Sequence, residues 1–218
     1  MSLRANQRII DDDYNDLSSA VLSEFEVVEI CPKILLETVR DLGHLGWDAQ
    51  ADFGLSMPIP IGEIKNPVFL KQDPKNKEVE IYLIATFDKS NYGMNFNGVS
   101  KSEGGYEIPL GWKVKATFCN NSDVPHSVMV VEEDVAERKI NLGDEPYFEG
   151  PTTPKPNTIG TTNKIEKFEF TPDEAGDFSF ACGFPTHSAN GHRIFLKIKK
   201  DLEKAAFIKP EKKKEDAK

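Results

Sequence analysis

Along residues 78–87 apolar and polar side chains alternate, with Val79, Ile81, Leu83 and Ala85 set against charged or polar neighbours. A side-chain period of two predicts a half-buried strand. Residues 106–118 and 127–132 continue the pattern, and 128–131 are apolar without a break, which predicts a central strand covered on both faces. Phe168 with Phe170, Phe178 with Phe180, and Ile194 with Leu196 and Ile198 supply further alternating runs. Each run is bounded by Gly, Pro, Asn or Asp. Short strands punctuated in this way predict a mainly β protein built as a sandwich.

The pattern changes toward the N-terminus. After Asp11, Asp12 and Asp13, the residues Leu17, Ala20, Val21 and Phe25 fall at near-helical spacing, and Ile34, Leu35, Val39, Leu42 and Leu45 repeat the theme. Pro32 suits the first turn of the second helix, and Gly43 and Gly46 weaken its end. Pro58, Pro60, Pro67 and Gly62 then mark a connector. Residues 1–74 read as an acidic, partly helical extension and residues 75–200 as the β domain. Residues 201–218, where lysines alternate with acids, read as a charged, disordered tail. Residues 134–163 carry Pro146, Pro151, Pro154 and Pro156 and exceed the length of ordinary ordered loops, so a role beside a site and a plain surface role are both open.

Chemistry concentrates in two short segments. Cys182, His187 and His192 stand in the run Cys-Gly-Phe-Pro-Thr-His-Ser-Ala-Asn-Gly-His, and His126 stands upstream in Pro125-His126-Ser127. Gly183, Pro185 and Gly191 suit a constrained loop rather than a helix, and the run before it reads as a strand ending at the cysteine. One thiolate and two imidazoles are the equatorial donors of a mononuclear electron-transfer copper site, with a weaker fourth ligand on its axis. Zinc is the competitor, because one Cys and three His also hold it tetrahedrally; a finger or ribbon would need a Cys-x2-Cys pair, which is missing. His44 reads as a surface or capping residue.

From about residue 77 to 200 the chain resembles a cupredoxin, and within that family the archaeal sulfocyanins. The match rests on Glu78-Val79-Glu80-Ile81-Tyr82-Leu83-Ile84-Ala85, Met94-Asn95-Phe96-Asn97-Gly98, Ile108-Pro109-Leu110-Gly111-Trp112-Lys113-Val114, Pro125-His126-Ser127-Val128-Met129-Val130-Val131 and Cys182-Gly183-Phe184-Pro185-Thr186-His187. The resemblance implies a Greek-key β-sandwich with one copper ion acting as a one-electron Cu(II)/Cu(I) carrier. It implies ligands at His126, Cys182 and His187, with an axial methionine where this chain has His192. An axial imidazole favours Cu(II) and lowers the potential; in the alternative, His192 turns outward and a carbonyl near Val124 or Pro125 takes the axis. The Ser127 N–H is expected on the Cys182 sulfur, and His187, collared by Gly183, Phe184, Pro185 and Ala189, is expected to be the electron port. Redox proteins, membrane-associated redox complexes among them, are the implied partners, and an extracytoplasmic compartment is implied as well. The expectation is a carrier rather than an enzyme. The alternative is a copper enzyme or sensor handling nitric oxide or nitrite at an open axial position.

Composition narrows the rest. A net charge of −9 and a pI near 5.1 argue against nucleic acid as a partner. The three cysteines are too few for a disulfide framework; with Cys182 assigned to metal, Cys31 and Cys119 either pair or stay apart. A dinuclear copper site would need a cysteine at position 186, which is Thr186. No apolar run is long enough to span a membrane. The opening Met-Ser-Leu-Arg-Ala-Asn-Gln-Arg-Ile-Ile lacks a signal-peptide pattern, so either an export segment was removed and a start added, which is the preferred reading, or the chain reaches its compartment another way.

Overall fold

The computed structural model describes residues 69–120, 122–162 and 165–210. The expected N-terminal helices, Cys31 and His44 lie outside the described residues. The strands are β1 (Leu70–Asp73), β2 (Glu78–Ala85), β3 (Gly105–Pro109), β4 (Lys113–Asn120), β5 (Met129–Glu132), β6 (Ile165–Phe170), β7 (Gly176–Ala181), β8 (Arg193–Lys199) and β9 (Ala206–Ile208). A short helix, α1 (Glu133–Arg138), follows β5.

These strands form the expected mainly β sandwich. One sheet has four strands in the order β1-β2-β4-β6, and the other has five in the order β5-β7-β8-β3-β9. Most neighbours are antiparallel, but β2 pairs with β4 and β3 with β8 in parallel. β1 and β9 lie outside residues 75–200, and β9 makes residues 206–208 an ordered strand where a disordered tail was expected, because its backbone pairs along β3. β9 hydrogen-bonds along β3, and Phe207 packs on Phe69 and Tyr106, with centroids 5.0 and 4.8 Å apart.

Two expectations need correction. Residues 106–118 are not one strand: the run breaks after Pro109, and β3 and β4 join different sheets. Trp112 N–H closes a turn on the Pro109 carbonyl at 3.3 Å, and Gly111 supplies the left-handed backbone, φ 76°, that this turn requires. Residues 128–131 are buried as expected, but β5 is an edge strand rather than a central one. Its outer side is covered by the following segment: Tyr147 N–H donates to the Val130 carbonyl, Val130 N–H to Pro151, and Thr153 N–H to Val128. An apolar run without alternation reports covering, and a loop covers as well as a strand does.

Between the sheets lie Ile81 and Leu83 of β2, Val114 and Phe118 of β4, Phe180 of β7, and Ile194 and Leu196 of β8, all fully buried. Phe96 meets Phe118 edge-on at 6.3 Å, and Tyr106 meets Phe180 at 5.9 Å. The buried Tyr106 hydroxyl donates to the Tyr82 carbonyl at 2.7 Å and accepts from Asn97 at 3.0 Å, so its polar end is satisfied.

Candidate metal centre

The β7–β8 hairpin carries three of the four expected residues. Cys182 follows the last residue of β7 and His192 precedes the first of β8, while Cys182 N–H donates to the His192 carbonyl at 3.0 Å and closes the hairpin base. Inside the loop, His187 N–H bonds Phe184, Asn190 N–H bonds Thr186, and His192 N–H bonds the His187 carbonyl. The left-handed conformations of Thr186 and Gly191 make this coiling possible. Thr186 N–H also donates to the Ile140 carbonyl at 2.7 Å, and the Ser188 hydroxyl donates to Ala136, so the loop is tied to α1 and the residues after it. Arg193, largely buried, donates to the Ser188 carbonyl at 2.8 Å and reaches Glu137 at 3.7 Å.

His126 arrives from the other side. It lies before β5 in a two-way backbone bridge with Thr161, and so comes next to the hairpin through the proline-bearing segment. That segment does border the site. Pro156 accepts the Ser127 hydroxyl at 2.8 Å, and it lies so close to Gly183 that a Cβ there would meet the Pro156 ring at 2.8 Å. A side chain at position 183 would push the cover away from the cysteine.

The structure brings all four expected residues together. The donor atoms of His126, Cys182, His187 and His192 lie within 4.8 Å of one another. Cys182 Sγ is 3.9 Å from His126 Nδ1 and 3.5 Å from His187 Nδ1. Two donors held by one ion at ~2.3 Å for sulfur and ~2.0 Å for nitrogen, at angles of roughly 110–120°, stand ~3.5–3.7 Å apart. The 3.5 Å separation to His187 matches that spacing, and the 3.9 Å separation to His126 lies just beyond it.

The electrostatics favour lone pairs without charge. Burial, reinforced by the neighbouring His187, lowers the His126 pKa to about 4. Burial also holds His187 below its ordinary range, and burial and the two other imidazoles hold His192 well below it. Burial raises the Cys182 pKa, against the opposing pull of the Ser127 and Phe184 N–H groups and the Ser127 hydroxyl. The Ser127 N–H stands on the sulfur at 3.5 Å, as expected. The site thus keeps neutral imidazoles ready to donate, and a thiol that gives up its proton only when a cation takes its place.

His192 has the least ordinary environment. It is fully buried, its ring lies 4.3 Å from that of Phe96, and neither ring nitrogen has a hydrogen-bond partner. The Asn95 carbonyl lies nearby without completing a hydrogen bond. Unpartnered buried nitrogens carry a desolvation cost, and a metal ion shared with the thiol would offset it for the one nitrogen it takes.

Three contributors lie outside the expected set: Phe96 on His192, the Asn95 carbonyl beside it, and Thr86, whose hydroxyl is 3.2 Å from His126 Nε2. No metal-ligand spacing marks any of them. The Thr86 contact joins residues far apart in sequence.

Residues 65–208 match the Sulfocyanin (SoxE) domain. Among solved structures the chain is similar to an auracyanin of the photosynthetic bacterium Roseiflexus castenholzii, at 21% identity and a TM-score of 0.39, covering 55% of this chain and 96% of that one. It is also similar to auracyanin A, a blue copper protein of Chloroflexus aurantiacus, at 19% identity and a TM-score of 0.36, over 56% and 99% of the two chains. Rusticyanin of Thiobacillus ferrooxidans is similar at 20% identity and a TM-score of 0.31, over 60% and 86%. No curated protein matches the chain significantly.

Proposed function

Because this chain belongs to the sulfocyanin (SoxE) domain family, we propose that it holds one copper ion between His126, Cys182, His187 and His192 and carries single electrons between redox proteins. One observation carries the reading: a free buried thiol and three neutral imidazoles present donor atoms within 4.8 Å of one another, and the His192 nitrogens have no other partner. A soft thiolate with imidazoles suits copper, whereas a carboxylate-lined site would suit harder ions. When bound, copper supplies the chemistry by alternating between Cu(II) and Cu(I).

The residues define how that electron moves. The Ser127 and Phe184 N–H groups stabilise the thiolate form of Cys182 against its burial. His187 is half-buried at the rim, with the Phe184 ring 5.4 Å from its own. A reduced partner docking there gives up one electron, and an oxidised partner later takes it; no bond is made or broken. Ile140, whose carbonyl holds Thr186 N–H, and Ile159, beside the Gly160 that lies against Phe184, are also exposed, and apolar groups there favour brief contact without strong charge pairing. Membrane-associated redox complexes and an extracytoplasmic setting accord with this reading. A small-molecule enzyme would need an open face beside His192, and the buried, Phe96-backed position of that ring favours the carrier.

Copper titration followed by an optical spectrum tests the proposal. One equivalent is expected to give an intense visible band, and Cys182→Ser is expected to abolish the band while the far-ultraviolet β signal persists. A colourless copper-loaded protein, or zinc preferred over copper in direct competition, overturns it.

A further inference from the structure

Immediately after β2 the backbone of Thr86 enters the left-handed region at φ 55°. A β-branched residue there is a steric outlier of the kind that persists only when its surroundings hold it. The bracing is visible. Thr86 N–H donates to the Asn95 carbonyl at 3.0 Å. The fully buried Asn95 carboxamide accepts from Phe87 N–H at 3.1 Å and Gly98 N–H at 3.2 Å, and donates to the Asp88 and Ser90 carbonyls, each at 3.0 Å. An amide satisfied on every side fixes the turn on which Thr86 stands.

This strained, braced conformation aims the Thr86 hydroxyl at the buried His126 ring, 3.2 Å from Nε2. The opposite nitrogen, Nδ1, faces the Cys182 sulfur at 3.9 Å. In a neutral imidazole only one nitrogen carries the proton, and the partner of one nitrogen decides the state of the other. We propose that Thr86 is a positioning residue: its hydroxyl accepts the Nε2–H proton of His126, holds the ring angle, and leaves the Nδ1 lone pair directed toward Cys182. The consequence for copper rests on the function proposed above, while the tautomer follows from this geometry alone. Thr86 thereby acts on the metal through His126, and the strain in its backbone is what positions the hydroxyl.

The test uses the metal-free protein first. Nitrogen-15 NMR of the histidine rings at neutral pH is expected to show His126 purely as the Nε2–H tautomer in the natural chain and in Thr86→Ser. Thr86→Val, close in shape but without the hydroxyl, is expected to give a tautomer mixture, and so is Thr86→Gly, which also relieves the left-handed strain and so guards against a folding failure. Copper affinity, measured by competition with a chelator, is expected to fall roughly 10–100-fold in Thr86→Val and Thr86→Gly and to be kept in Thr86→Ser, the range seen when an outer partner of a metal-bound histidine is lost. A pure Nε2–H tautomer in Thr86→Gly, or an Nδ1–H tautomer in the natural chain, overturns the proposal. A natural chain that shows the Nε2–H tautomer and its loss in both variants, yet binds no copper, upholds the positioning role and sinks the copper reading alone.

Discussion

His187 and His192 belong to the same hairpin loop, yet one ring is half-buried at a rim and the other has no exposed surface. The rim ring has Phe184 beside it, with Pro185 and Ala189 partly exposed around it. The sealed ring lies on Phe96 with no hydrogen-bond partner at either nitrogen. A single loop thus supplies one donor that faces out and one that faces the core. The division separates two properties of an electron carrier. On the function proposed above, the outward side would govern how closely a partner approaches, and the inward side how strongly each oxidation state is held.

The largest expected effect bears on the inward side. In the folded, metal-free protein His126 stays neutral down to about pH 4, whereas in an unfolded chain a histidine takes its proton near ~6.5. Acid therefore protonates the unfolded chain first, and folding stability should decline as pH falls from ~6.5 to ~4, by about 3 kcal/mol from His126 alone. His192 and His187, both lowered by burial, add in the same direction. Denaturant unfolding of the apo protein at stepped pH checks this, and copper should add stability while steepening the decline, because protons compete with it for the rings and the thiol. A flat apo profile across that window would erase the difference claimed for the buried rings.

A second expectation sharpens the role of His192. His192→Met replaces a strong donor with a weak thioether, so the potential should rise and the visible spectrum should shift toward blue. Cyclic voltammetry and absorption of the copper-loaded variant read both. An unchanged potential would leave His192 a sealed core residue with no hold on the metal.

The smallest thermodynamic effect is expected on the outward side. Ala189→Asp places a charge on the apolar rim, and self-exchange followed by NMR line broadening should slow markedly while the potential stays nearly constant. A potential that moves with the rate would show that the two sides are not separable.

Much of this was legible in the chain. Alternation located the strands because each has one face on the core, and the spacing of Cys182, His187 and His192 survives in any loop that joins two paired strands. His126 was legible only beside its proline and serine. The β3–β4 break was signalled by Pro109 and Gly111, but continuous apolar alternation overrode that punctuation. Thr86 and Phe96 were illegible for a different reason. Their roles come from a left-handed backbone and a ring contact that exist only once distant segments meet.

The order in which the donors assemble follows from the pairing of the strands. β7 and β8 are sequence neighbours joined antiparallel, so their hairpin needs only a short loop to close, an event of about microseconds. His126 reaches the same place only after β5 has docked on β7 and Thr161 has returned to bridge it. The parallel β3–β8 pair, from Gly105↔Phe195 to Pro109↔Lys199, closes a longer circuit still, and such non-local contacts form late. A thiol and two imidazoles are therefore expected to draw near one another with the local hairpin, and the remaining imidazole to join them only with the non-local contacts.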